Sequence, residues 1–243
     1  MIKMSVPTPC GVFQPAHPAG RPADPARGPA RPVGGPPLPP SVPPRSFPLE
    51  FPLDVPLDVP LDAIFGAALG GAADPRTKIR RFASPLTRML LTSEGLTTTL
   101  LEAMAGESLH LRCLAQLRAP AHATGDGVPP LLRIDAGGDV LVRYSATTRR
   151  GGPALSVNHV VARLGLAPGI QACLTSTSIP LGPALHAAGT GHRRTLLDAG
   201  RRAWRGEGGV TRPACYKTYL VWHGDEPLAL IDELFNPGTV PAG

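Results

Sequence analysis

Eighteen of the thirty-one prolines in this chain fall within its first sixty residues. Proline has no backbone donor and a fixed φ, so neither a helix interior nor a sheet ladder can be built through such a run. Residues 1–60, with Gly, Ala and Arg between the prolines, are expected to form a disordered or polyproline-like extension. A single folded domain is expected over residues 61–243. The extension closes on a short repeat, Pro52-Leu-Asp-Val, Pro56-Leu-Asp-Val, Pro60-Leu-Asp, to which no function is assigned.

The formal charge of +6 invites a polyanionic partner, but the positive residues are nearly all arginine. Lys3, Lys78 and Lys217 are the lysines, in a chain heavy in Ala, Gly and Pro, which is what GC-rich codons produce. No zinc-finger, basic-zipper or aromatic stacking pattern accompanies the arginines, so no nucleic-acid partner is expected. A few arginines serve a small anionic substrate equally well. The four cysteines, Cys10, Cys113, Cys173 and Cys215, are widely spaced and form no CxxC pair, so neither a metal site nor a disulfide framework is expected. Residues 1–13 lack the apolar core of a secretory signal, and residues 63–73 are too short and glycine-rich to cross a bilayer. The expectation is a cytoplasmic monomer with no membrane partner.

Beyond residue 60, residues 61–69 have helical spacing and stop at Gly70-Gly71. Ser84-Pro85 is suited to cap a helix running to Leu91, amid a basic group of Arg76, Lys78, Arg80, Arg81 and Arg88 read as a solvated face. A short helix over 96–105 ends at Gly106. Alternation then predicts a strand over 109–117. Residues 130–135 and 140–147, around the turn Ala136-Gly-Gly-Asp139, predict a hairpin with Arg133 and Arg143 inside its strands. The spacing predicts a helix over 155–164 and another from Ile179-Pro180 through Ala188. Residues 193–204 fit strand or helix, 214–222 a strand, and 228–236 a last strand between Pro227 and Pro237. About six strands joined mostly by hairpins or helical insertions argue for an α+β fold with a single antiparallel sheet.

Two carboxylates interrupt the last strand. Alternation puts Glu233 on one face with Ala229, Ile231 and Phe235, and Asp232 on the other with Leu228, Leu230 and Leu234. Both faces are apolar, so at least one acid is held away from water and needs either a cationic partner or a proton. An edge strand with one acid at the rim is the simpler structural account, and a catalytic acid is the functional one. GxGxxG, P-loop, HExxH and GxSxG patterns are all absent from the sequence, which leaves buried acids and buried arginines on neighbouring strands.

With those residues assembled, the chain over about 90–237 resembles the chorismate lyase (chorismate–pyruvate lyase) family, in its divergent actinobacterial-type branch. Four segments carry the resemblance in the family's order. They are Thr92-Ser-Glu-Gly-Leu-Thr-Thr-Thr99, Leu131-Leu-Arg133, Ile179-Pro-Leu-Gly182 and Leu230-Ile-Asp-Glu-Leu-Phe-Asn-Pro237. The resemblance implies a single antiparallel sheet with helices on one side and helical flaps over a buried ligand site. It implies cofactor-free elimination of pyruvate from chorismate to give 4-hydroxybenzoate. Carried over by position, Glu233 is the catalytic acid, Arg133 the carboxylate-binding cation and Leu181 an amide donor, with Thr97 and Thr98 on the flap. The spacing after Arg133 is shorter than the family's, which makes Arg143 the second choice for the anion contact. Asn236 stands where the family has leucine.

The chemistry suits those parts. Chorismate is a dianion whose ring becomes aromatic on losing a proton and the neighbouring enolpyruvyl group, so an enzyme chiefly has to position it and carry one proton. An arginine fork matches a carboxylate, and a glutamate in a dry pocket suits the proton. Besides a catalytically dead member of the family, which retention of Glu233 and Arg133 argues against, two alternatives share the resemblance. One is a non-enzymatic effector-sensing domain for a small aromatic acid, as in a class of transcription regulators that place a winged helix where this chain has its proline-rich run. The other is a lyase acting on a chorismate relative such as isochorismate or aminodeoxychorismate.

Overall fold

The computed structural model describes residues 73–205 and 210–243. The proline-rich extension, the boundary at residue 60 and the helix expected over 61–69 lie outside the described residues. In chain order the elements are α1 (Pro75–Ile79), α2 (Pro85–Thr92), α3 (Thr97–Ala105), β1 (His110–Pro120), a 3-10 turn (Ala121–Thr124) and α4 (Val128–Leu132). Then follow β2 (Asp139–Thr148), β3 (Ala154–Arg163), α5 (Pro168–Thr175), α6 (Leu181–Ala187), β4 (Arg193–Arg205), β5 (Thr211–His223) and β6 (Glu226–Phe235).

The six strands form one sheet in the order β1-β2-β3-β6-β5-β4, with every neighbouring pair antiparallel. The α+β expectation and its single antiparallel sheet are thus observed. The last strand of the chain, β6, inserts between β3 and β5 rather than lying at an edge, and residues 227–235 are all buried. The account of an edge strand with an acid at its rim is therefore corrected: Asp232 is 1% exposed and Glu233 4% exposed, in the middle of the sheet.

Local sequence explains most elements. Ser84 accepts the Thr87 N–H at 3.2 Å and Pro85 occupies the first turn, so α2 starts where the cap signal places it. Gly106, at φ 71°, ends α3 in the left-handed region where a residue with a Cβ is disfavoured.

Two expectations fail for stated reasons. The helix expected over 155–164 is strand β3: it is covered on both faces, so its apolar residues run nearly continuously and period-two alternation is hidden. The strand expected over 130–135 is replaced by α4. The consecutive prolines Pro129 and Pro130 sit in its first turn, where missing donors cost nothing, and the turn closes with Arg133 at φ 52°. The strand total survives because one strand is lost and another gained.

The sheet is packed on both sides. On one face α5 and α6 lay Leu174, Leu181 and Leu185 over Leu141, Val160, Tyr219, Val221 and Ile231. On the same side Leu90, Leu91 and Leu101 of α2 and α3 pack with Leu155 and Phe235. On the reverse face the 3-10 turn and α4 cover Val142, Val161, Leu220 and Leu230. The first face carries the cavity.

Candidate functional site

Between the sheet and the α3 and α6 helices lies a cavity with an empty volume of about 530 Å³, its open mouth included. Its floor is built by alternation. Arg143, Ser145 and Thr147 come from β2, and Asn158 and Val160 from β3. Ile231 and Glu233 come from β6 and Tyr219 from β5, with Arg194 entering from β4. Thr97 and Thr98, in the first turn of α3, form one wall; Pro180, Leu181 and Gly182, at the start of α6, form another.

Glu233 lies at the bottom. Ser156 Oγ donates to its Oε1 at 3.3 Å, while Oε2 is buried without a hydrogen-bond partner. Burial raises the Glu233 carboxyl above the ordinary carboxylate pKa, opposed in turn by the charges of Lys217 and Arg194 and the hydroxyls of Thr97 and Ser156. The adjacent acid is in a different chemical state. Asp232, on the reverse face, accepts from Arg202 Nη1 at 2.7 Å and from Thr218 Oγ1 at 2.6 Å. Of the two acids the sequence presents, Glu233 is the one facing the cavity with an oxygen to spare.

Two guanidinium groups face the same space. Arg143 is 1% exposed; its Nη1 donates to the Ser176 carbonyl at 2.6 Å, and its Nε has no partner. Arg194 is 8% exposed, lies over the Tyr219 ring at 5.2 Å and leaves both Nε and Nη1 unpaired. Buried donors normally find acceptors, so arginines that line a cavity with N–H groups unpaired mark where an external acceptor would be held. The hydroxyl of Ser145 is likewise buried and unpaired, and that of Thr97 is buried beside Glu233. The arrangement offers cations and hydroxyls to an acidic ligand, and one carboxyl able to carry a proton.

Most of the residues singled out in the sequence meet here. Glu233, Leu181, Thr97, Thr98 and Arg143 all line the cavity. Arg133 does not, and its assignment as the carboxylate-binding cation is corrected. It caps α4 on the surface, where it donates to the Asp225 carbonyl at 2.9 Å and lies 5.3 Å from the centre of the Trp222 ring. The helical turn imposed by Pro129 and Pro130 carries it away from the sheet, and the cavity-facing arginine in a strand is Arg143. Sequence reasoning missed Arg194, Lys217, Asn158 and Tyr219. Arg194 stands beside Arg193 in a segment whose period fitted strand or helix, so which arginine faced inward was not readable. Lys217 alternates into the interior with Tyr219 and Cys215, and that pattern was available.

Among the described residues no group of three or more His, Cys, Asp or Glu side chains is placed to hold a metal ion, and no helix is long and apolar enough to cross a membrane. Neither a protein-family model nor a curated relative matches the chain. Solved structures do. The chain is similar to PhnF from Mycobacterium smegmatis at 17% identity and a TM-score of 0.47, over 61% of this chain and 67% of that one. It is similar to the effector domain of PhnF from the same organism at 18% identity and a TM-score of 0.46, over 59% of this chain and 90% of that one. It is also similar to the C-terminal domain of the histidine utilization repressor from Pseudomonas syringae, at 12% identity and a TM-score of 0.38, over 54% of this chain and 93% of that one.

Proposed function

We propose that this domain binds a small cyclic carboxylic acid, of the chorismate and 4-hydroxybenzoate class, in the cavity between its sheet and the first turns of α3 and α6. The supporting observation is the pair of buried arginines, Arg143 and Arg194, which line one cavity and carry N–H groups without partners. Two fixed cations suit a ligand carrying two negative charges. Tyr219, Val160, Ile231 and Leu185 supply apolar surface for a ring between them. Leu181 at the wall and Thr97 and Thr98 overhead complete the enclosure. Binding of this kind is common to an effector domain and to a lyase.

Glu233 favours the lyase as the second reading. It lines the cavity, its Oε2 is buried without a hydrogen-bond partner, and its proton affinity is raised. In the elimination the ring carbon bearing the hydroxyl loses its proton and the neighbouring C–O bond breaks. The electron pair leaves with the enolpyruvate oxygen, which gains a proton and tautomerises to pyruvate. The ring is left aromatic, as 4-hydroxybenzoate. One carboxyl can take the ring proton and deliver it to the departing oxygen, and no redox partner enters the balance. Chorismate relatives with the same ring and side chain are the alternatives for the substrate.

Titration calorimetry with 4-hydroxybenzoate, paired with chromatography of chorismate incubated with the protein, tests both. Saturable binding that Arg143→Met weakens by about ten-fold or more supports the ligand site. Equal amounts of pyruvate and 4-hydroxybenzoate, absent with Glu233→Gln, add catalysis. Binding without turnover leaves the sensing role, and neither binding nor turnover removes the proposal.

A further inference from the structure

Behind Glu233, on the neighbouring strand, stands a buried lysine that the proposed function does not use. Lys217 is the cross-strand partner of Glu233 and is 1% exposed. Its ammonium donates to the Leu90 carbonyl at 3.0 Å and to the Ser93 carbonyl at 3.2 Å. These carbonyls belong to the last turn and C-cap of α2, groups that a helix cannot satisfy internally. A cation is favoured at that end of a helix on electrostatic grounds as well. Four residues after Ser93 the chain enters α3, whose first turn carries Thr97 and Thr98 over the cavity.

We infer that Lys217 is a positioning residue that latches the α2–α3 connection, and hence the flap over the cavity, to the sheet through the charge of Glu233. The inference rests on reading the cavity as a ligand site. Lysine is an unusual choice for a buried structural donor, because its charge has to be balanced where water cannot reach it. Glu233 supplies the balance from β6. The other groups facing it are Arg194 from β4, which opposes the charge, and Cys215 and Tyr219 on its own strand, the Tyr219 ring lying 5.4 Å away. Burial lowers the Lys217 pKa to about 8, with Glu233 pulling it back up and Arg194 pushing it further down. The ammonium therefore sits close to the point at which it would lose its third proton, and the state of Glu233 decides how firmly it holds the flap. A ligand or substrate that changes the protonation of Glu233 would loosen or tighten the lid above itself.

Amide hydrogen exchange on the ligand-free protein at neutral pH provides the test, with Lys217→Met and Glu233→Gln beside the wild type. Lys217→Met is expected to speed exchange over residues 93–98 by about ten-fold or more, leaving the β3 and β6 amides within about two-fold. Glu233→Gln, which leaves every Lys217 donor in place, is expected to speed the same segment by about three-fold. Equal loosening of β3, β6 and the flap in Lys217→Met would reduce the lysine to a general structural role and overturn the inference. So would an unchanged flap in a folded Glu233→Gln, which decides the matter even if Lys217→Met does not fold. Failure of the wild type to bind 4-hydroxybenzoate would remove the ligand reading alone, because the exchange comparison uses no ligand.

Discussion

Asp232 and Glu233 are neighbours in the chain, face opposite sides of the sheet and are both buried, yet one is fully bonded and the other is not. Asp232 is held by Arg202 and Thr218 at 2.7 and 2.6 Å, while Glu233, which lines the cavity, leaves Oε2 without a hydrogen-bond partner. A buried acid without a full set of partners costs stability, and such groups persist where they serve a ligand or a reaction.

Replacing Glu233 therefore separates binding from chemistry. Glu233→Gln keeps the shape and removes the proton carrier, so chorismate turnover is expected to fall by about 10²–10⁴-fold. The affinity for 4-hydroxybenzoate, whose charge is met by the arginines, should change by less than about ten-fold. Chromatographic rates and calorimetric Kd values on the same preparations check the contrast. A loss of affinity as large as the loss of rate would make Glu233 a binding group only.

The reverse face sets a pH signature that has nothing to do with the ligand. His159 and Asp232 are cross-strand partners there. Burial, with the Arg202 charge adding to it, lowers the His159 pKa to about 3. A depressed pKa means the unfolded chain binds the extra proton, so this histidine adds stability above its unfolded value near 6.5 and loses it as pH falls toward 3. Burial raises Asp232 to about 6 against the opposing pull of Arg202 and Thr218. Here the folded chain holds the proton, so stability is present below pH 3.8 and is lost as pH rises through about 6. Between pH 4 and 6 the two slopes, each up to about 1.4 kcal/mol per pH unit, oppose one another. In a Glu233→Gln background, which removes the other raised carboxyl, urea unfolding is expected to vary little across that window. His159→Gln should make stability fall with rising pH, and Asp232→Asn should make it fall with falling pH.

The two cavity arginines are expected to act as separate charge contacts. Arg143→Met and Arg194→Met should each weaken 4-hydroxybenzoate or chorismate by about 10–100-fold, since a charge-assisted hydrogen bond contributes about 1.5–3 kcal/mol. Arg133→Met, at the α4 cap, should leave the affinity unchanged. Lysine is a poor replacement at position 143, because a point charge reproduces neither the carbonyl contact at Ser176 nor the fork that remains for the ligand. Calorimetry on the four variants checks the ranking.

Much of this site is legible in the sequence, and the gaps have physical causes. The last strand is readable because two prolines bracket it and two acids break an apolar run, so the opposite faces of Asp232 and Glu233 follow from alternation, while the choice of Glu233 follows from the resemblance. The α2 and α6 starts were readable from Ser84-Pro85 and Ile179-Pro180. Strand β3 was not readable: burial on both faces removes the alternation that separates a strand from a helix. Arg133 was misplaced because local chemistry at Pro129-Pro130 overrides the hairpin suggested by the following Gly-Gly. The insertion of β6 between β3 and β5 is a long-range pairing that no local pattern encodes, and it is what makes both acids central.

Gly182 is where the separate pieces of the site meet. A Cβ built there would lie 2.6 Å from Arg194 Nη2 and 2.7 Å from Leu96 Cδ2, so the absence of a side chain lets β4, the start of α6 and the flap close on one another. Its backbone needs no special conformation, as its φ is not in the left-handed region, so the requirement is one of space alone. Gly182→Ala should displace either the Arg194 head or Leu96. The stability cost of such overpacking is about 1–3 kcal/mol, or near the low end here, because both contacted atoms are side-chain ends. The functional cost should be larger in proportion: moving Arg194 withdraws one of the two cations, and moving Leu96 shifts the turn that leads into Thr97. The expected outcome is a variant that unfolds within a few degrees of the wild type while its affinity for 4-hydroxybenzoate falls by about ten-fold or more. Thermal unfolding and calorimetry measured together decide it, and an unchanged affinity would mean that neither Arg194 nor the flap contributes to holding the ligand.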